Sequence, residues 1–207
     1  MVTTREAYFR AMADALPAET LVVTSLGNAS YLWAAIRDRP ENFYVEDAMG
    51  LALPLALGVA VARPDRQVVV VEGDGGLLMH MGGLITVGAA APLNLTVLLI
   101  QNGVHAASGG QALTNAELDF AALGQAARLK GARNIETAES LRPALAEALE
   151  GSGPMLLALA TAPDPEVVVP PAGFDPVATK RRFQDAIEAP RYVPTLFGGG
   201  RLEARRR

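Results

Sequence analysis

The chain has 207 residues, half of them hydrophobic and 19% charged, with 18 Lys and Arg against 22 Asp and Glu for a net charge of −4. That length fits one domain of the usual ~100–200 residues, and mild acidity with no basic cluster before Arg205-Arg206-Arg207 argues against nucleic acid as a partner. The absence of cysteine excludes disulfides, thiolate zinc sites, iron–sulfur clusters and cysteine nucleophiles.

No apolar signal segment follows the charges of Met1-Val2-Thr3-Thr4-Arg5-Glu6. The longest apolar run, Leu51 to Ala62, is interrupted by Pro54 and Gly58 and is too short to span a bilayer, so no membrane partner and a soluble, cytoplasmic protein are expected. The pattern predicts a helix over 5–16, a strand over 20–24, a loop holding Gly27 and Asn28, and a helix over 30–37. A short strand over 42–45 and a small-residue helix over 50–62 follow. Gln67-Val68-Val69-Val70-Val71 is a β-branched run suited to a central parallel strand covered on both faces, and it leads into Gly73-Asp74-Gly75-Gly76. Next come a helix over 78–89 and a second apolar strand over 94–100, which ends at Gln101-Asn102-Gly103 before an irregular loop to Gln111. A helix over 116–129, a strand over 132–135, a helix over 138–150 and a strand over 154–161 complete the series.

Strands alternating with helices of these lengths imply right-handed crossovers and an α/β fold: a doubly wound parallel sheet of about six strands, flanked by helices, with ligands at the C-terminal strand ends. Residues 1–161 form the expected domain. Residues 162–207, rich in proline from Pro163 to Pro194, form an extension expected to pack on the domain or a partner, with a mobile end around 198–207.

Gly73-Asp74-Gly75-Gly76, between a buried strand and a helix, suits phosphate binding, because glycines let the backbone approach and a helix N-terminus offers N–H donors. A dinucleotide fingerprint would need glycine where Leu78 stands and an acidic residue near 93–96, and a Walker loop would need lysine, which is absent between Met1 and Leu129. Asp74 would repel a phosphate unless a cation lay between them, so it implies a metal such as Mg²⁺, with Asn102 and freed carbonyls at Gly103 as further oxygen donors. An ordinary Asp-Gly turn is the bland alternative.

Gly73-Asp74-Gly75, followed by an apolar strand and then Asn102, 28 positions after Asp74, resembles the thiamine-diphosphate (ThDP) motif. The segment from Met49 to Gly58 is similar to the one that contacts the aminopyrimidine in acetolactate-synthase-like decarboxylases. Gly75–Gly82 and Gln101–Gln111 are most similar to the β subunit of sulfopyruvate decarboxylase and the C-terminal half of phosphonopyruvate decarboxylase. The resemblance implies a diphosphate-binding domain in which Asp74, Asn102 and the Val104 carbonyl bind Mg²⁺, while Gly73, Gly75, Gly76, Gly27 and Asn28 hold the diphosphate. It also implies that Met49 supports the bent cofactor and that a backbone carbonyl near Asp47 and Ala48 receives the 4′-amino group. Asp47-Ala48 departs from the family's frequent Gly-Ser, and Gln101 from its usual Asn or Asp.

His105, three residues past Asn102, resembles a histidine of phosphonopyruvate decarboxylases that could bind a substrate anion or transfer a proton, though a loop histidine bonded to its own backbone fits too. Ser108-Gly109-Gly110-Gln111 reads as a closing loop or a plain turn, and His80 as structural or facing a subunit. The resemblance also implies an activating glutamate on a pyrimidine-binding domain, for which the sequence leaves no room. A pyrimidine-binding α subunit is therefore expected, in a hetero-oligomer such as α2β2 or higher, with helices 50–62 and 78–89 as interfaces. The implied reaction is decarboxylation of a small anionic 2-oxo acid, 3-sulfopyruvate or 3-phosphonopyruvate. A carboligase subunit of acetolactate-synthase type and a non-catalytic ThDP-binding regulatory subunit are the alternatives.

Overall fold

The computed structural model describes residues 3–163 and 175–187, with backbone alone at 191–194 and 200–203. Helix α1 (Arg5–Ala15) is capped by Thr4, whose hydroxyl accepts from the Ala7 N–H at 3.2 Å, and it buries Tyr8, Phe9 and Met12 at helical spacing. Strand β1 (Leu21–Thr24) leads through Gly27, at φ 70, into α2 (Asn28–Arg37). This helix starts two residues earlier than expected, because Ser30 ties its first turn to the strand end: its hydroxyl donates to the Ser25 carbonyl at 2.8 Å. Strand β2 (Asn42–Tyr44) precedes α3 (Ala52–Ala62), which cannot begin at Gly50 because that residue sits at φ 74.

Strand β3 (Val68–Gly73) passes directly into α4 (Asp74–Met79), and α5 (Gly82–Ala90) follows. The single helix expected over 78–89 is thus corrected to two, broken at His80, whose backbone leaves the helical region at φ −130, ψ 43. After β4 (Leu95–Gln101), the segment expected to be irregular holds a small hairpin, β5 (Val104–His105) with β6 (Gln111–Ala112), closed by a 3₁₀ turn at Ala106–Ser108. Helix α6 (Phe120–Ala126) is shorter than expected, since Asp119 caps it through the Ala122 N–H at 3.0 Å and Arg128 turns to φ 63 beyond its end. Strand β7 (Gly131–Ile135), α7 (Ala138–Glu150) and β8 (Met155–Ala160) complete the domain.

Six strands make one parallel sheet in the order β2-β1-β3-β4-β8-β7. Side-chain alternation divides its valines and leucines between two layers. Val23, Val68, Val70 and Val97 pack under α3, α5 and α6, while Val22, Val69, Val71 and Leu98 pack under α1, α2 and α7.

The extension contributes α8 (Pro176–Ala186), an element absent from the sequence expectation, with Asp175 capping its first turn. It docks beside β2 through Arg182, which donates to the Asp38 carboxylate at 2.8 and 3.0 Å, and through an edge-on contact of Phe183 with Phe43. Strands β9 (Arg191–Pro194) and β10 (Gly200–Glu203) pair antiparallel. Pro165, Pro170, Pro171, Pro190, Gly198, Gly199 and Arg205-Arg206-Arg207, which the expectation of a proline-rich extension with a mobile end included, lie outside the described residues.

Candidate functional site

From β1 the chain turns toward the β2 edge, whereas from β3 it turns toward β4, so the winding reverses between β1 and β3. A cleft opens at the C-terminal ends of these strands, the place where open parallel sheets bind ligands. Its walls come from Ser25, Leu26, Asn28 and Ala29 after β1, from Met49 and Gly50 before α3, from residues 72–76, and from Asn102 with residues 104–108 after β4.

Asp74 and Asn102, 28 residues apart in sequence, meet here. Asp74 is 1% exposed; its Oδ1 accepts from the Gly75 N–H at 2.8 Å and its Oδ2 from the Gly103 N–H at 2.7 Å. The Asn102 Oδ1 accepts from the Val104 N–H at 3.1 Å, which curls the loop so that Val104 and His105 also face the cleft. Burial raises the Asp74 pKa, opposed by the N–H groups of Gly103, Gly75 and Asn102 and by the charge of His105. The Gly103 carbonyl, expected to be free, instead accepts from the Leu113 N–H at 2.9 Å.

The glycines of the loop have separate reasons. A Cβ on Gly75 would stand 2.7 Å from the His105 Nδ1, and one on Gly76 would stand 2.5 Å from the Glu72 Oε1. A Cβ on Gly73 would meet nothing within 4 Å. Two of the three therefore lie against the protein's own side chains, which would have to shift for a Cβ. Gly50, at φ 74, lies against the Gly76 carbonyl, which fixes the Met49 segment on top of α4.

Of the other anticipated residues, Asn28 and Met49 line the cleft, while Gly27 shapes the turn one position outside it. Asp47 and Ala48 are not in the wall: Asp47 is exposed at φ 53, and Ala48 packs on the core. Two charged cleft residues escaped the sequence reading. Glu72 is 1% exposed, with its Oε1 accepting from the Gly73 N–H at 3.0 Å and its Oε2 lacking a hydrogen-bond partner among the described residues. Burial pushes its carboxyl up to about 7. Arg5, 4% exposed, reaches the cleft from the start of α1. Both carry a readable signal: Glu72 is a charge closing a buried valine strand, and Arg5 shares a helix face with Tyr8, Phe9 and Met12.

Among the described residues no three His, Cys, Asp or Glu side chains cluster to hold a metal. One carboxylate, one amide oxygen and backbone carbonyls form instead a partial set of hard oxygen donors, suited to a cation that takes its remaining ligands from phosphate and water. A cleft with an open face at Gly73 and such a donor set fits a metal-bridged diphosphate.

The family model described as thiamine pyrophosphate enzyme, C-terminal TPP binding domain, matches residues 26–159. The chain belongs to this family. It is 37% identical to phosphonopyruvate decarboxylase of Streptomyces viridochromogenes, over 90% of this chain and 47% of that protein. Over 82% of this chain and 90% of the relative, it is 30% identical to sulfopyruvate decarboxylase subunit beta of Methanococcus maripaludis. The chain spans about half the length of the phosphonopyruvate decarboxylases that it matches. The fold is shared with benzoylformate decarboxylase of Polynucleobacter necessarius, with a TM-score of 0.69 at 20% identity over 79% of this chain and 34% of that one. Within the family frame, the β3–α4 junction and the loop after β4 are the parts of this TPP-binding domain that face one another across the cleft.

Proposed function

We propose that this chain is the diphosphate-binding β subunit of a ThDP- and Mg²⁺-dependent decarboxylase that converts 3-sulfopyruvate or 3-phosphonopyruvate to the aldehyde and CO₂. The observation that carries the reading is the junction of Asp74 with the Asn102 loop through the 2.7 Å Gly103 N–H bond, in a domain of the matched family. In this reading Asp74, the Asn102 amide oxygen and the Val104 carbonyl hold Mg²⁺. The Gly27-Asn28 turn and the backbone of Gly73, Gly75 and Gly76 receive the diphosphate. Met49 supports the thiazolium ring, and the 4′-amino group is received by a backbone carbonyl next to Met49, in the Asp47-Ala48 segment whose side chains lie outside the wall. Bound ThDP supplies the nucleophilic carbon and the electron sink that lets CO₂ leave. His105, whose ring covers Gly75 at the cleft, is placed to hold a substrate anion or to pass a proton.

The anionic substrate class rests on the relatives, two phosphonopyruvate decarboxylases at 37% and 35% identity and sulfopyruvate decarboxylase β subunits at 38% and 30%. The relatives named as β subunits also support a partner, a pyrimidine-binding subunit carrying the activating glutamate. An apolar face suits such a partner: Leu51 just before α3 and Leu55 on it, with Met79, Met81 and Ile85 around α4 and α5, are exposed, as is Met49 at the cleft. The test is CO₂ and aldehyde release from sulfopyruvate, phosphonopyruvate and pyruvate, by the chain alone and co-expressed with the product of the neighbouring reading frame. The reading expects turnover of a C3-anionic acid only by the pair. Full activity of the chain alone removes the partner, and acetolactate from pyruvate favours a carboligase.

A further inference from the structure

Arg5 has no role in the site as the family motif defines it, yet it lines the cleft while 4% exposed. As the first residue of α1 it places a permanent positive charge where the helix dipole disfavours one, so the position does not serve the helix. The start of α1 is also firmly held. The Thr3 hydroxyl donates to the Glu136 carbonyl at 3.1 Å, and the Tyr8 hydroxyl, one turn after Arg5, lies 3.0 Å from the Ile135 carbonyl and 3.1 Å from the Ala160 carbonyl at the ends of β7 and β8. Arg5 therefore projects from a fixed base. Among the described residues of the cleft wall, no other side chain carries a permanent positive charge; Glu72 and Asp74 are acids and His105 is the remaining base.

Its location selects the ligand. Helix α1 packs with α2 on one face of the sheet, and α3, which Met49 precedes, lies on the other. Arg5 thus lies on the α2 side of the cleft, with Ser25, Asn28 and Ala29 around the α2 N-terminus, across the sheet from the Met49 segment. A guanidinium presents several N–H donors in a plane that matches the oxygens of a phosphate.

We propose that Arg5 binds the terminal phosphate of the diphosphate cofactor, an inference that rests on the ThDP reading above. It would supply charge recognition at the end of the diphosphate away from Met49, where the Asp74 carboxylate cannot contribute without a cation.

The test is titration calorimetry of the full chain in Mg²⁺ with ThDP, thiamine monophosphate, inorganic pyrophosphate and methylphosphonate, on wild type, Arg5→Met, Arg5→Lys and Asp74→Ala. Arg5→Met is expected to weaken ThDP and pyrophosphate ~10-fold or more while leaving thiamine monophosphate within about twofold. Arg5→Lys, which keeps the charge, should recover part of the loss and guards against a folding defect in Arg5→Met; thermal melts of each variant are run alongside. Equal weakening of ThDP and the monophosphate, unchanged pyrophosphate affinity, or a loss confined to methylphosphonate overturns the proposal. If Asp74→Ala loses ThDP while Arg5→Met retains it, only the role of Arg5 fails. If wild type binds neither ThDP nor pyrophosphate, either alone or with its partner subunit present, the ThDP reading fails and takes this one with it.

Discussion

Two acids one residue apart, Glu72 and Asp74, are buried at the same strand end but meet different surroundings. Burial raises the Asp74 pKa, but its carboxylate accepts two backbone N–H bonds from opposite sides of the cleft, which oppose that rise and fix its position. Glu72 accepts from the Gly73 N–H, and burial, opposed by that bond and by the groups of Leu53, Ser25 and Ala52, holds its carboxyl at about 7, against an ordinary value of 4.5. Between those two values the folded chain keeps a proton that the unfolded chain has lost, so stability falls as pH rises through the window. The contribution is complete below pH 4.5 and gone above about 7. Across that span the loss is about 3 kcal/mol. Urea denaturation of the chain without added divalent cation should show wild type losing stability relative to Glu72→Gln between pH 5 and 7; parallel profiles would contradict the assignment. The meeting of Asp74 with the Asn102 loop, where metal binding is proposed, was legible in the sequence because both residues directly follow apolar strands, a local signal. The acid–glycine packing was not, because the contact of Glu72 with Gly76 depends on how β3 passes into α4, and the covering of Gly75 by His105 depends on a hairpin closing from elsewhere.

One contact between elements is a close backbone approach. A Cβ on Gly88 would lie 1.7 Å from the Ala127 carbonyl oxygen, so α5 touches the end of α6 backbone to backbone. Gly88→Ala should therefore destabilise the domain by about 3 kcal/mol, despite the better helix propensity of alanine, and a lowered urea midpoint at unchanged m-value checks it. A neutral or stabilised variant would contradict that packing. Most strands and helices were readable from periodicity, with ends displaced where backbone geometry overrides propensity: Gly50 at φ 74 delays α3, and Arg128 at φ 63 follows the shortened α6. The break at His80 was hidden because Met79 to Gly83 shows no proline, and the glycine loop itself proved helical from Asp74. Helix α8 was hidden by the prolines around it, although Asp175-Pro176 is a regular helix start, a cap followed by proline in the first turn.

At the scale of the molecule, the parallel sheet carries both walls of the cleft proposed to hold the diphosphate on the C-terminal ends of β1, β3 and β4, and α3, α4 and α5 expose apolar side chains. No helix among the described residues is long and apolar enough to cross a membrane. Relatives named as β subunits match over 70% and 90% of their own length, consistent with the proposal that a partner closes the site. Ligand linkage makes the central claim measurable as stability: a ligand at 100 times its dissociation constant adds about 2.7 kcal/mol. The most direct measurement is calorimetric titration of ThDP into the chain, with its partner if one co-purifies, in the presence and absence of Mg²⁺, for wild type and Asp74→Ala. The account predicts Mg²⁺-dependent binding that Asp74→Ala abolishes; equal affinity in the variant, or binding indifferent to Mg²⁺, would contradict it.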